Sequence, residues 1–143
     1  MLTEDLVSRT RERVESWNHH DPEAYAGYYS EDAAVHDPMY PEALKGRDAI
    51  SRDFEGFLSA FPDAEFRPGT IVASDDMVAF ELVVSGTHQG ELPGPEGPIP
   101  ATNQPIEMGV AAFARLDDRG QVLEERRYFD VAGLLQQLGL MDG

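Results

Sequence analysis

The chain has 143 residues, a net charge of −16 and no cysteine. That length suits one ordinary domain, residues 1–143, with a real core. The missing thiols exclude disulfides, thiolate nucleophiles and cysteine-ligated metal, and an acidic field containing a single lysine, Lys45, makes nucleic acid and anionic membranes poor partners.

The opening MLTEDLVSRTRE has no apolar leader core, and no run of about 18 apolar residues follows anywhere, so a soluble, cytoplasmic protein is expected. Leu6, Thr10, Arg13, Val14 and Trp17 share one helical face, predicting an amphipathic helix over 3–18 that stops at Asn18-His19-His20. Asp21-Pro22 supplies a cap and a first-turn proline for a short second helix carrying Tyr25, Tyr28 and Tyr29. EDAAVHDP alternates and ends at Pro38, as a strand does. After the loop MYPEALKG, a third helix puts Ile50, Phe54, Phe57, Leu58 and Phe61 on one stripe and ends at Pro62.

The second half reads as strands: EFRPGTIVAS, MVAFELVVSGTH, PIEMGVAAFARL and QVLEERRYFD. Asp75-Asp76 and Asp117-Asp118-Arg119-Gly120 are short enough for antiparallel hairpins. GELPGPEGPIPATNQ is too rich in glycine and proline for regular structure and is expected to form a long loop at the rim of a site. A last helix over 131–138 carries Val131, Leu134, Leu135 and Leu138 on one face, with Gly139 just beyond it. Helices first and strands after predict an α+β architecture: helices on one face of a curved antiparallel sheet, enclosing a pocket suited to an apolar small molecule.

Three places carry candidate chemistry. Straight alternation puts Val122, Glu124, Arg126, Tyr128 and Asp130 on one face of the last strand, and Leu123, Glu125, Arg127 and Phe129 on the other. If Asp130 reaches the cavity, Arg126 and Tyr128 go with it as substrate-orienting groups, and an acid shielded beside an aromatic suits proton transfer at neutral pH. The same aspartate also fits as the N-cap of the last helix, bonded to the backbone of Ala132 or Gly133. Only one of His36 and Asp37 can face the cavity; alternation does not say which, and Asp37-Pro38 fits a plain turn as well. His88 shares parity with Phe80, Leu82 and Val84, either to polarise a carbonyl or as a hydrogen-bonded part of the core. Trp17, Tyr25, Tyr29, Phe54, Phe57, Phe80 and Phe113 are candidates for an apolar wall or plain core. No metal motif, phosphate loop, serine elbow or dinucleotide fingerprint occurs.

The stretches WNHHDPEAYAGYYSEDAAVHDP, ALKGRDAISRDFEGFLSAFPD, SGTHQGE and VLEERRYFDVAGLLQQLG, in that order and with the Gly/Pro loop between the last two, resemble the SnoaL-like polyketide cyclases of the nuclear-transport-factor-2-like superfamily. The resemblance implies a cone-shaped α+β barrel, a ligand cavity, a homodimer, and an aspartate matching Asp130 that acts as general acid/base in an aldol ring closure without metal or cofactor. The stretch NHHDPEAYAGYYSEDAAVHDP is more distantly similar to ketosteroid isomerases, in which the aspartate matching Asp37 is the base. Their oxyanion-holding tyrosine and protonated acid have no counterpart near Arg13 and Ala111.

The expectation is a cofactor-independent enzyme acting on a polyketide- or steroid-like carbonyl compound, with Asp130 and His88 catalytic. Trp17, Tyr29, His36 or Asp37, Phe54, Phe80, Arg126 and Tyr128 would bind the substrate. The alternative is a non-catalytic ligand-binding or dimerisation domain in which Asp130 is only a cap.

Overall fold

A computed structural model describes residues 2–94 and 96–141. Helix α1, Thr3–Ser16, continues into a 3-10 turn at Trp17–His19, and its buried side holds Leu6, Thr10, Arg13 and Val14. Helix α2, Pro22–Gly27, starts as its sequence dictates, with the Asp21 carboxylate accepting the Ala24 N–H at 3.1 Å and proline in the first turn. Strand β1 spans Tyr29–His36, so Tyr29 opens a strand rather than ending α2. Within MYPEALKG, Leu44–Lys45 forms a short β2 that pairs with β1, and α3 follows over Gly46–Ala60.

Strands β3 (Glu65–Ser74), β4 (Met77–Thr87), β5 (Pro105–Leu116) and β6 (Val122–Tyr128) occupy the four strand-like runs, and α4 spans Val131–Gln137. The sheet order is β2-β1-β6-β5-β4-β3. Neighbours are antiparallel except β1 and β6, which run parallel because β6 returns along the free edge of β1. The sheet curves without closing, and the helices fill its concave side: α1 lies against β3 and β4, α3 against β1 and α2, and α4 against β5.

The aromatics of the predicted stripes meet inside this curve. Tyr25 stacks on Phe54 with ring centroids 4.0 Å apart, and Trp17 meets Phe66 edge-on at 5.6 Å. The Gly/Pro loop is tied down at both ends. The backbone N–H groups of Gln89 and Gly90 donate to Ala60 O at the end of α3. A β-carbon at Gly90 would come within 2.2 Å of Ser59 O, so only glycine permits that approach. Beyond it, Leu92 and Ile99 pair in a small antiparallel bridge that brings Leu92 down onto the core.

Candidate active site

The site is assembled by a defect in β6. Val122 is buried, and perfect alternation from it would turn Arg126, Tyr128 and Asp130 inward. Between Val122 and Glu124 the register against β5 slips: Leu116 pairs with Val122 while Arg115 pairs with Glu124, leaving Leu123 as an extra, exposed residue. This bulge inverts the parity beyond it. Glu125, Arg127 and Phe129 therefore face the concave side and line the cavity.

Arg127 is the hub. Its Nη1 donates to Asp37 Oδ2 at 3.1 Å and to Asp53 Oδ2 at 3.2 Å, its Nε to Glu125 Oε2 at 3.1 Å, and its Nη2 to the Tyr25 hydroxyl at 2.6 Å. A guanidinium has five N–H groups, so these four bonds leave one on Nη2 for another acceptor. Asp37 arrives from the end of β1, its other oxygen accepting the Met39 N–H at 2.9 Å. Asp53 comes from α3 and accepts the Tyr40 hydroxyl at 2.7 Å. Behind the hub, Arg13 Nη1 donates to Glu125 Oε1 at 2.8 Å and to the Tyr29 hydroxyl at 3.0 Å, while Tyr29 donates to Glu125 Oε2 at 2.8 Å.

Burial alone would favour a neutral Glu125, but the fields of Arg13 and Arg127, with hydrogen bonds from Arg13 and Tyr29, more than offset it and hold the carboxyl down at about 2. Burial raises the Tyr25 phenol far above its ordinary value against the pull of Arg127. It raises Tyr40 too, with Asp53 pushing the same way, so both remain proton donors. Three carboxylates (Asp37, Asp53, Glu125) meet two guanidiniums (Arg13, Arg127), one negative charge in excess. Such a cluster favours a neutral guest over an anion.

Around this polar wall the cavity is apolar, lined by Trp17, Phe54, Phe57, Phe66, Phe80 and Leu134 and covered by Leu92 and Pro93 of the loop. The cavity volume is ≈ 110 Å³. An engineered cavity that takes up benzene measures about 150 Å³, so a multi-ring guest needs more room than the cavity has in this structure. Four buried side-chain atoms, Trp17 Nε1, Arg13 Nη2, Ser30 Oγ and His88 Nε2, have no partner among the described residues, and of these four residues Trp17 lines the cavity. Leaving such a group unsatisfied costs about 1–3 kcal/mol.

Residues 8–138 match the family described as SnoaL-like polyketide cyclase. The chain belongs to the SnoaL-like polyketide cyclase family. Among solved structures it resembles AclR of Streptomyces galilaeus, described as a proposed hydroxylase, at 26% identity and TM-score 0.82, covering 99% of this chain and 100% of that one. A proposed SnoaL-like cyclase from Jannaschia sp. superimposes at 16% identity and TM-score 0.77 over 96% and 94% of the two chains. A protein of ketosteroid isomerase-like fold from Catenulispora acidiphila, solved with trimethylamine, does so at 18% identity and TM-score 0.77 over 98% and 96%. The last two likenesses show the fold. No curated protein matches the chain.

In this SnoaL-like cone the expected site residues separate. Trp17, Asp37, Phe54 and Phe80 line the cavity, with Tyr25 and Phe57. Tyr29 stands behind the wall, joined to the lining residues Glu125 and Tyr25. His36 points outward, 3.7 Å from Glu124, which answers the question alternation left open in favour of Asp37. Arg126 is exposed and pairs with Glu124 at 3.3 Å, and Tyr128 packs edge-on against the exposed Phe113 on the convex face, so these three are corrections to the expected lining.

Asp130 is corrected in place as well. It is exposed, does not line the cavity, and accepts the Gly133 N–H at 2.9 Å as the cap of α4, because the chain leaves the sheet at Tyr128. His88 is buried away from the cavity lining against Phe61, its ring centroid 5.3 Å from that of the phenylalanine. Its Nδ1 accepts the Thr102 N–H at 3.2 Å, and its backbone bonds to Asn103 and Gln104, so it clasps the two ends of the loop together. Burial lowers its pKa, which keeps the ring neutral for that bond. Sequence reasoning overlooked Arg127, Asp53, Tyr40 and the role of Glu125. One signal was available: Arg13 on an otherwise apolar helix face demands a buried acid somewhere.

Proposed function

We propose that the chain is a cofactor-independent enzyme of the polyketide cyclase type, with Asp37 rather than Asp130 moving the proton. The observation that carries this is the convergence of Asp37, Arg127 and Tyr25 on one wall of an otherwise apolar cavity. In this reading a neutral, carbonyl-bearing substrate enters beneath the Leu92–Pro93 cover. Asp37 removes a proton from the carbon beside the carbonyl. The remaining N–H of Arg127 and the Tyr25 hydroxyl meet the charge that develops on oxygen. The carbanion then closes on a second carbonyl, whose new alkoxide takes back the proton held by Asp37, in a cyclisation, or is reprotonated by Asp37 at another carbon in an isomerisation. Asp53 and Tyr40 hold Arg127 and carry no proton of the substrate. The same reading includes a cytoplasmic homodimer; support for the dimer is the exposed Val72, Phe113 and Tyr128 of the convex face. Among the described residues, no helix is long and apolar enough to cross a membrane.

The test needs no natural substrate. Tetralone incubated in heavy water with the protein should exchange the protons beside its carbonyl, followed by NMR. Asp37→Asn should slow this by about a hundredfold or more, while Asp130→Asn exchanges like the parent. Undiminished exchange with Asp37→Asn would overturn the assignment. Binding of tetralone with no exchange by the parent protein would favour the ligand-binding reading.

A further inference from the structure

We propose that Trp17 is a substrate-specificity residue: its indole N–H receives a second oxygen of the ligand, so the cavity selects flat, neutral compounds with an oxygen acceptor besides the carbonyl that reacts at Asp37. This rests on the cavity being the substrate site.

Trp17 is the only tryptophan of the chain. Its ring lines the cavity and is fixed by Tyr25 at 5.2 Å and Phe66 at 5.6 Å. An indole nitrogen can only donate, and a buried donor in a folded protein is almost always paired. Here it has no acceptor among the described residues. The polar groups of the Arg127 wall differ in this respect: Asp37, Asp53, Tyr40 and Tyr25 all have partners. The guanidinium of Arg13 lies 5.6 Å from the Trp17 ring and 5.1 Å from Phe80, and its Nη2, like Ser30 Oγ and His88 Nε2 elsewhere, is also without a partner among the described residues.

The indole N–H thus offers a hydrogen that no protein oxygen takes. A hydrocarbon guest would leave the indole N–H cut off from water and unpaired. A guest with a carbonyl there would pair it. Phenylalanine at this position would keep the aromatic wall and lose only that preference. The excess negative charge of the nearby carboxylates argues that the matching oxygen belongs to a ketone, quinone or ether rather than to an acid.

A lone tryptophan gives a single indole N–H resonance in a nitrogen-labelled sample of the full chain. Naphthoquinone and naphthalene share one skeleton, with two oxygens and with none, and the cysteine-free chain offers the quinone no thiol. Naphthoquinone should move the indole proton downfield, naphthalene should leave it unpaired, and Trp17→Phe should weaken quinone binding by about tenfold, the scale of one hydrogen bond. If Trp17→Phe does not fold, the resonance decides alone. Quinone binding without a downfield shift, an equal shift with naphthalene, or undiminished quinone affinity in a folded Trp17→Phe overturns the proposal and leaves the cavity reading standing. Failure of both compounds to bind overturns the two together.

Discussion

The two faces of β6 carry the same chemistry twice. On the convex side Arg126 reaches back two residues to Glu124 at 3.3 Å; on the concave side Arg127 reaches back two residues to Glu125 at 3.1 Å. The outer side chains are 57% and 36% exposed, the inner ones 13% and 1%. Each face also has an aromatic, Tyr128 outside and Phe129 inside. Residue type and spacing are matched, so the difference in consequence comes from solvent. Water screens the outer pair and makes it worth little. The inner pair has surrendered its hydration and must be satisfied by the protein: Glu125 by Arg13, Tyr29 and Arg127, and Arg127 by four partners.

The sharpest way to break the comparison is to neutralise one acid on each face. Glu125→Gln leaves two buried guanidiniums without their shared counter-charge and should cost about 3–5 kcal/mol. Glu124→Gln should stay within about 0.5 kcal/mol. Urea denaturation of both variants at neutral pH measures this, and similar losses would mean that the inner cluster is better hydrated than its burial implies.

Acid titration asks the same question without a mutation. The folded-state pKa of Glu125, about 2, lies below the ordinary 4.5. The stabilisation is therefore fully present above about 4.5 and is lost as pH falls toward 2. Its size is on the order of 3 kcal/mol. Urea midpoints collected down this range should fall for the parent, and the part due to Glu125 should vanish in Glu125→Gln. A parallel decline in both proteins would assign the acid sensitivity to other carboxylates.

The division between faces also explains what could be read from sequence. The order of helices and strands was legible because burial imprints its period on the chain: α1 follows the face of Leu6, Val14 and Trp17, and β4 hides Val78, Phe80, Leu82 and Val84 by strict alternation. The aromatic wall was legible for the same reason. The polar wall was not. One extra residue at Leu123 reverses every side chain after it, and a bulge leaves no mark in composition, so parity counted from Val122 selected Arg126, Tyr128 and Asp130. Asp53 lies in α3 and Tyr40 in the loop before it, with β3, β4 and β5 between them and the arginine they serve, and no local pattern announces a partner 74 residues away. The partnership of Asp37 with Arg127 became visible only once β1 and β6 lay side by side.

Asp130 gives the smallest and most discriminating effect. It is the residue at which motif resemblance and local physics point in different directions, and its geometry is that of an ordinary cap: extended backbone, one carboxylate oxygen on the Gly133 N–H, the side chain in solvent. Asp130→Ala should lower stability by about 1 kcal/mol. Asp130→Asn, which can still accept that N–H, should lose only a few tenths, and both should catalyse tetralone exchange at the parental rate. A catalytic carboxylate would show the reverse pattern, since asparagine keeps the cap and removes the acid. If the asparagine variant is stable but silent in exchange, the carboxylate must swing from the cap into the cavity during turnover. The inner and outer faces of this strand would then be connected by motion at its last residue.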